Sequence, residues 1–433
     1  MIRHLVFATV AAFVSATKAN AQTSAVAESA AVARTAWARA MSALQRDDVT
    51  TARWDVDHAA HAWPTQPAYL WGQAVLAQRA GDATAAAQAL TRYADLGLGR
   101  DLRTDDKFSD VLGDRFEAIA VRHDANRSVI VKSTSRPLLA DSTFWPEGID
   151  VDPRTRRLYV ASVRHRVVAE VSPSGAVREL WQRDRDDLAP VMGVRVDTAR
   201  NSIWATTSGL RNVPGFRAAD SAKASLLRLD LTSGRIAQRF DLPAIQGGRV
   251  LGDLAIGPDG SVWITDSQQP ILYRLRPNAK AVEEIRSPLF VSLQGLAPTP
   301  DGKSLYLADY SLGMLRMHLN TGAIVALASP DNTTAIGCDG IVWHNGAIIA
   351  VQNGVSPARI IRMIPDAEHD RLLRIDVIDR NLTIADEPTI GTILGDEFIY
   401  VANSQWEKFS DDGARDPSRP LTPPIALRLP LPR

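Results

Sequence analysis

The chain has 433 residues, and its 49 lysine and arginine residues are balanced by 49 aspartate and glutamate residues. This length allows more than one domain. The balance of charge excludes the basic footprint of a nucleic-acid-binding protein and a polybasic membrane patch. We therefore expect the partner to be a small molecule or another protein. The single cysteine, Cys338, rules out an intramolecular disulfide, so a hydrophobic core must supply the stability.

The first 21 residues have the layout of a cleaved secretory signal. Arg3 and His4 precede an apolar run over residues 5–14, and residues 19–21, Ala-Asn-Ala, offer a cleavage site of small residues. The run is too short to span a bilayer, and no later stretch reaches the roughly 20 apolar residues that a spanning helix needs. The sequence thus predicts an exported protein, either in a bacterial periplasm or secreted.

Residues 22–124 are predicted to form a small all-α domain. Apolar side chains recur there at intervals of three and four, which is typical of helices. A helical pair is expected near 28–45 and 48–62, and a second within 68–98, where Gly81 can end one helix and Asp82 can cap the next. The spacing is similar to tetratricopeptide-type hairpins, of which about two units fit. Such a domain can bind a partner protein or cap the next domain, and both interpretations stay open.

Residues 125–433 change to an alternating pattern in which one phrase recurs six times. Each copy has a polar residue or glycine, a short apolar strand, a turn and a second apolar strand. The copies are PEGIDVDPRTRRLYVASV (146–163), MGVRVDTARNSIWATTS (192–208), GDLAIGPDGSVWITDS (252–267), QGLAPTPDGKSLYLADY (294–310), DGIVWHNGAIIAVQNG (339–354) and PTIGTILGDEFIYVANS (388–404). Repeats of ~40 to 50 residues with about four strands each predict an all-β, six-bladed β-propeller. The ring is expected to close by pairing a strand near 128–138 with the C-terminal segment PPIALRLPLP.

In a propeller, the residue that opens each innermost strand points into one mouth of the central channel. The six positions are Glu147, Met192, Gly252 with Asp253 beside it, Gln294, Asp339 and Pro388-Thr389. Carboxylates that converge raise one another's pKa unless a cation lies between them. Because Ca²⁺ prefers oxygen ligands from carboxylates and amides, a divalent metal, with Ca²⁺ as the best match, suits this set.

The repeats resemble the propellers of the senescence-marker-protein and gluconolactonase-like family. The phrases that carry the resemblance are FWPEGIDVDP, GDLAIGPDGSVWITDS, QGLAPTPDGKSLYLADY and CDGIVWHNGAIIAVQNG. The resemblance implies a lactonase or related hydrolase with one divalent metal on the axis, held by Glu147 and Asp339. Two further ligand positions, asparagine in the family, are Gly252 and Gln294 here, and of these two only Gln294 offers a side-chain oxygen.

On this interpretation the chain is a metal-dependent hydrolase of a lactone or ester. The catalytic residues would be Glu147 and Asp339, with Asp339 or a neighbouring carboxylate activating water. The residues expected to contact the substrate are Gln294, Asp253, Gln352, Asn353 and Trp145, with Asn403, Trp343 and Trp406 as further candidates for the same mouth. The alternative is a non-catalytic periplasmic propeller that binds a ligand, with the helical domain holding a partner protein. The two missing asparagines favour this alternative, and the presence of Glu147 and Asp339 favours the hydrolase.

Overall fold

The computed structural model describes residues 2–432 apart from 105, 214, 215 and 411, and for residues 2–23 it describes the backbone alone. A helical domain precedes six four-stranded sheets, so the predicted fold class, an all-α domain followed by a six-bladed β-propeller, is confirmed. The side chains of the predicted signal peptide, residues 1–21, lie outside the described residues. Within the described part of the chain, no helix is both long and apolar enough to cross a membrane.

In the helical domain, successive helices pack on one another. The helices are α1 (Ile2–Gln45), α2 (Val49–Ala62), α3 (Pro67–Arg79), α4 (Ala83–Asp95), α5 (Lys107–Leu112) and α6 (Phe116–Arg127). α1 contacts α2, α2 contacts α3, and α3 contacts α4. Between α3 and α4, Gly81 has a φ of 69° and the Asp82 carboxylate accepts a hydrogen bond from the backbone nitrogen of Ala85 at 3.0 Å. The turn and the N-cap predicted for this pair are therefore present.

Each blade of the propeller is a four-stranded antiparallel sheet. Blades 1 to 3 consist of β2 (Pro146–Asp152), β3 (Arg157–Ser162), β4 (Val167–Val171) and β5 (Val177–Glu179); β6 (Val191–Asp197), β7 (Ser202–Ser208), β8 (Ala224–Asp230) and β9 (Ile236–Asp241); and β10 (Leu251–Ile256), β11 (Val262–Asp266), β12 (Ile271–Leu275) and β13 (Glu283–Arg286). Blades 4 to 6 consist of β14 (Leu293–Pro298), β15 (Ser304–Asp309), β16 (Gly313–His318) and β17 (Ile324–Ala326); β18 (Cys338–His344), β19 (Ala347–Gln352), β20 (Arg359–Pro365) and β21 (Leu372–Arg380); and β22 (Gly391–Leu394), β23 (Glu397–Val401), β24 (Ile425–Pro430) and β1 (Thr134–Pro137).

The ring closes through blade 6, whose outermost strand comes from the N-terminal side of the propeller. β1 pairs antiparallel with β24, with Thr134 opposite Arg428 and Pro137 opposite Ile425, as the sequence predicted. The innermost strands contact one another in turn, and β22 contacts β2 again. Closure thus surrounds one channel with six inner strands and leaves few exposed sheet edges.

The hydrophobic core lies mainly between neighbouring blades. One cluster joins Tyr159 and Val168 of blade 1 to Val194 and Leu227 of blade 2. Equivalent clusters of buried aliphatic and aromatic side chains occupy the other junctions, including the junction of blades 6 and 1. Burial of this apolar surface fixes each blade against the next, and so fixes the inner strands around the channel.

A β-bulge at the start of the inner strand turns one side chain toward the channel. In β18, Cys338 pairs with Gln352 and Ile341 pairs with Ala350, so β18 has one residue more than β19 between these pairs. The extra residue breaks the strict alternation of the strand and aims Asp339 at the axis. Register shifts at the same point occur in β2, β6, β10 and β14.

The position after the channel-facing residue is tightly packed against the next inner strand. It is occupied by glycine in four of these strands, namely Gly148, Gly193, Gly295 and Gly340. A Cβ on Gly295 would lie 2.4 Å from the carbonyl oxygen of Asp339, so a larger residue would push the two blades apart. In β10 the order is reversed, with Gly252 first and Asp253 second.

The helical domain packs on the face of the propeller where the inner strands begin, over blades 4 and 5. The side-chain nitrogen of Gln66 donates to the carbonyl oxygen of Ser311, directly after β15. The backbone nitrogen of Gly99 donates to the carbonyl oxygen of Ser356, after β19. Ala30 of α1 packs in the cluster between blades 3 and 4. The helices therefore border the mouth to which the bulges direct their side chains.

Candidate functional site

The inner strands enclose a cavity of about 250 Å³ at this mouth. Its wall includes all six channel positions that the repeats indicated: Glu147, Met192, Gly252, Gln294, Asp339 and Thr389. Further groups come from the segments that follow the second strands of blades 3 to 6 and from the segment before β22. Bulged inner strands and the loops beside them thus converge on one small, polar space.

Glu147 lies in β2 with 7% of its surface exposed. Its Oε2 accepts a hydrogen bond of 2.7 Å from the indole nitrogen of Trp406. The pKa of Glu147 is raised well above its usual range, first by burial and then by the negative charge of Asp339, while the Trp406 bond acts in the opposite direction. The indole therefore fixes the orientation of this carboxylate without balancing its charge.

Asp339 is half-buried and is held by a short chain of hydrogen bonds. The amide nitrogen of Asn353 donates to Oδ2 of Asp339 at 2.8 Å and to the carbonyl oxygen of Pro388 at 2.8 Å. The hydroxyl of Tyr310 donates to Oδ1 of Asn353 at 3.0 Å. Because these three bonds use both ends of the Asn353 amide, its nitrogen stays turned toward Asp339. Desolvation raises the pKa of Asp339 to about 7 even though the Asn353 bond lowers it.

The third-blade position lacks a side chain, and a serine fills the gap. A Cβ on Gly252 would lie 2.5 Å from Oγ of Ser267. The Ser267 hydroxyl donates to Oε1 of Gln294 at 3.0 Å, which joins blade 3 to the predicted ligand of blade 4. A hydroxyl and an amide oxygen therefore occupy the part of the cavity where the family resemblance implied two asparagines.

Asp253 lines the bottom of the cavity but is paired with an arginine. Both of its carboxylate oxygens lie within 3.1 Å of the Arg195 guanidinium, and its Oδ1 also accepts a bond from Leu254 N. Burial raises the pKa of Asp253 to about 6 although the Arg195 charge lowers it. This ion pair holds the Asp253 carboxylate toward Arg195, which itself lines a second cavity.

Two predicted contact residues lie outside the cavity wall. Gln352 is fully buried, and its amide donates to two carbonyl oxygens of the segment before β18 while accepting from Arg359. Trp145 is 1% exposed and stacks on Phe409 at 4.2 Å, behind Trp406. Gln352 faces away from the cavity because the strand alternates, and Trp145 supports the wall from behind.

The other candidates of the predicted apolar wall are spread over different places. Trp343 stacks on Tyr306 and lines a separate cavity at the opposite end of the channel. Asn403 bonds with the segment before β24, within blade 6. Only Trp406 reaches the axial cavity, and it does so both as an apolar surface and as a hydrogen-bond donor.

The sequence reasoning missed three polar groups of the wall: Ser267, Tyr310 and Glu387. Ser267 and Tyr310 each stand one residue after the Asp that ends the second strand of their repeat, so their common place in the repeat was the available signal. Glu387 precedes blade 6, where no repeat position marks it. Burial raises the pKa of Glu387 to about 7.

The cavity has the donor chemistry of a site for a hard cation. No lysine, arginine or histidine occurs among the described residues that line it, so the carboxylates of Glu147, Asp339 and Glu387 have no basic partner in the wall. Carboxylate, amide and hydroxyl oxygens are the ligands that Ca²⁺ prefers. No group of three or more His, Cys, Asp or Glu side chains in the described ranges is arranged to hold a metal ion. A cation here would thus combine two carboxylates with neutral oxygens, and the residues present fit that arrangement.

Comparison with known families supports the resemblance drawn from the repeats. The family model described as the SMP-30/Gluconolactonase/LRE-like region matches residues 145–319, from the inner strand of blade 1 into blade 4. No curated protein sequence matches the chain.

Several solved structures are similar in fold. Regucalcin from Agrobacterium tumefaciens, described as a calcium-binding protein, is 16% identical over 70% of this chain and 95% of its own, with a TM-score of 0.49. A gluconolactonase from Xanthomonas campestris is 18% identical over 71% of this chain and 93% of its own, with a TM-score of 0.45. Virginiamycin B lyase from Staphylococcus aureus is 18% identical over 62% of this chain and 81% of its own, with a TM-score of 0.45.

The raised pKa values predict that the metal-free protein loses stability as the pH rises. Asp339 and Glu387 have a pKa of about 7 in the folded protein and about 4 when unfolded, so their contribution is fully present below pH 4 and is lost as the pH passes 7. Urea unfolding in the presence of a chelator should show a falling free energy of unfolding between about pH 5 and pH 8. Asp339→Asn should reduce this fall by on the order of 1 kcal/mol.

Asp301→Asn is the matched control, because this turn carboxylate is exposed, its pKa is lowered and it titrates below the window. A stability that rises over the window, or an equal fall in wild type and Asp339→Asn, would contradict the assignment of raised pKa values to the cavity.

Proposed function

We propose that the chain is a divalent-cation-dependent hydrolase of small lactones or related esters, acting in the axial cavity. The observation that carries the proposal is the meeting of Glu147 and Asp339 in a cavity of oxygen donors whose wall includes no described basic side chain, since the nearby Arg195 pairs with Asp253. The match to the SMP-30/gluconolactonase family model supports the class of reaction. The names of similar structures include a gluconolactonase and a calcium-binding protein, which agree with both parts of the proposal.

Glu147 and Asp339 are the residues that would hold the cation, together with Oε1 of Gln294 and the hydroxyl of Ser267. Trp406 and Asn353 each fix one oxygen of a carboxylate, so the carboxylates have defined orientations before any ligand binds. Such preorganisation lowers the cost of binding, since the groups need little rearrangement. A divalent ion would supply Lewis-acid polarisation of the substrate carbonyl and stabilise its developing negative charge.

The protein's own groups account for the proton transfers. Asp339 accepts a proton from the attacking water as the new carbon–oxygen bond forms at the carbonyl carbon. The bond from that carbon to the ester or ring oxygen then breaks, and the proton passes from Asp339 to the leaving oxygen. The Tyr310–Asn353 chain holds Oδ2 of Asp339 throughout, so the carboxylate keeps its direction while it gains and loses the proton.

The dimensions of the cavity favour a small substrate. Its volume of about 250 Å³ is below the ~300–1,000 Å³ that is usual for sites of drug-sized ligands. Trp406, Met192, Val250 and Ile390 give part of the wall an apolar surface, and most of the other side chains of the wall are polar. A single small ring with polar substituents, such as a sugar lactone, matches this combination.

A second candidate is a non-catalytic propeller that binds a small ligand, with the helical domain engaging a partner protein. The observation in its favour is the pairing of Ser267 with Gln294 beside Gly252, because an amide oxygen that already accepts a hydrogen bond is a weaker ligand for a metal. The two candidates differ in turnover and not in the place of binding.

We also propose that the protein is exported, with cleavage after Ala21. The support is the layout of residues 1–21, in which a basic start precedes an apolar run and small residues. Expression of the full chain in a bacterial host should give a periplasmic product whose mass corresponds to an N-terminus at Gln22. A cytoplasmic product that keeps residues 1–21 would contradict export.

Cation binding and hydrolysis should depend on the same two carboxylates. Tb³⁺, which binds at Ca²⁺ sites, should show luminescence sensitised by Trp406, because the indole nitrogen of Trp406 lies 2.7 Å from Oε2 of Glu147. Ca²⁺ should compete with Tb³⁺ for the site. Glu147→Gln and Asp339→Asn should abolish the signal. Both variants should lower kcat/KM on a panel of sugar lactones and aliphatic esters by on the order of 10²-fold or more.

Two variants control this experiment. Trp406→Phe should remove the luminescence while Ca²⁺ still stabilises the protein, and Asp301→Asn should leave both properties unchanged. Absence of any bound cation in wild type would contradict the metal-dependent proposal. Cation and ligand binding without hydrolysis of any member of the panel would favour the second candidate.

A further inference from the structure

The helical domain contacts two loops of the propeller. These loops carry Tyr310 and Asn353, the residues of the hydrogen-bond chain that ends at Asp339. One loop follows β15 and carries Tyr310, and the other follows β19 and carries Asn353. In the first loop, the carbonyl oxygen of Ser311 accepts a bond of 3.2 Å from Gln66. Gln66 is also the N-cap of α3, so its side chain is anchored in the helical domain. The residue next to Tyr310 is therefore tied to the start of α3.

The second loop is held by the segment after α4. The backbone nitrogen of Gly99 donates to the carbonyl oxygen of Ser356 at 3.0 Å, and the Ser356 hydroxyl donates back to the carbonyl oxygen of Gly99 at 3.3 Å. Val355 packs against a cluster of buried side chains of the helical domain that includes Leu70 and Tyr93. Two or three residues beyond Asn353, the chain is thus fixed by both polar and apolar contacts with the helices.

A buried arginine, Arg359, connects the segment after α4 to the strands of blade 5. Arg359 is 3% exposed, and it donates to the carbonyl oxygen of Gly97 at 2.8 Å and to Oε1 of Gln352 at 2.6 Å. A guanidinium at this depth requires both acceptors, because a buried donor without a partner is costly. Arg359 therefore couples the position of the segment after α4 to the position of Gln352, the residue before Asn353.

Gln352 extends the connection to the strand of Asp339. Its amide nitrogen donates to the carbonyl oxygens of Thr334 and Ile336 at 2.9 and 2.7 Å, within the segment that leads to β18. The backbone adds a parallel link, because Gly354 N donates to Gly337 O. The residues that precede Asp339 and Asn353 are thus joined to each other and, through Arg359, to the helical domain.

We propose that the helical domain is a structural part of the axial site, and that Arg359 is the positioning residue through which it holds Asn353 and Asp339. The sequence suggested Gln352 as a substrate contact. In this arrangement Gln352 instead links Arg359 to the segment before β18 and does not bind the ligand. As far as it concerns cation binding, the inference rests on the function proposed above. Its structural part concerns the order of the two loops and stands separately.

The chain offers a matched pair of interdomain arginines for the test. Arg380, at the end of the outer strand β21, donates to Ser128 O, Ser128 Oγ and Ala125 O of the helical domain. Arg359→Gln and Arg380→Gln each remove guanidinium bonds between the domains, but only the first removes a contact to the loops of the cavity. Amide hydrogen exchange should rise about tenfold in segments 338–342 and 352–358 of Arg359→Gln. It should stay unchanged there in Arg380→Gln, and unchanged in segment 146–152 of blade 1 in both variants.

A second readout reports on the site itself. The Kd for Tb³⁺ or Ca²⁺ should rise by about 10- to 100-fold in Arg359→Gln, as is usual when a residue that orients a ligand is lost. Arg359→Lys, which keeps the charge and can donate to Gly97 O or Gln352, should recover part of the affinity. Arg380→Gln should bind the cation like wild type. If Arg359→Gln does not fold, Gln66→Ala and Ser356→Ala should raise exchange in the loop that each of them contacts.

The outcomes separate the two proposals. Wild type that binds no cation would defeat the proposed metal-dependent function, and hydrogen exchange would still decide the role of Arg359. Unchanged exchange and affinity in Arg359→Gln would overturn the inference, as would an equal change in Arg380→Gln, since the effect would then belong to any loss of interdomain contact.

Discussion

Two carboxylates in a small cavity, neither of them paired with a basic side chain, are the constraint on which the site depends. Glu147 and Asp339 both have a raised pKa, since burial and the nearby negative charges disfavour ionisation. Such a pair is stable when it takes up protons or when a cation lies between the two groups. Repulsion between the two charged groups is unfavourable when no cation is bound. Its relief therefore favours the binding of a positively charged ligand.

The propeller supplies this arrangement through closure and bulges. Contacts between blades place the six inner strands around one channel, and a bulge at the start of the inner strand in blades 1 to 5 turns one residue toward the axis. The glycine after that residue, such as Gly295, lets the next strand approach closely. Because the carboxylates come from different blades, the packing of the blades around the ring sets their separation. The helical domain adds a second constraint over blades 4 and 5, where it holds the loops that orient Asp339.

Much of the fold followed from repetition in the sequence, and the site followed only in part. Six copies of one phrase predicted the blades, the closing strand and the ring of channel positions. The pairing of Ser267 with Gln294 next to Gly252 was beyond the repeat pattern, because a neighbouring strand fills a space that a single strand leaves empty. Gln352 was misplaced because its position beside Asn353 suggested a shared mouth, whereas alternation turns the two side chains in opposite directions. Glu387 lies before blade 6, where the repeat is weakest.

We propose that a divalent cation binds on the axis between Glu147 and Asp339. Anomalous diffraction from crystals soaked with Mn²⁺ tests it directly. We expect a peak in the axial cavity, with oxygens of Glu147 and Asp339 at about 2.0–2.6 Å from the metal. A cavity that contains only water at high Mn²⁺ concentration, or a peak held by other residues alone, would contradict it.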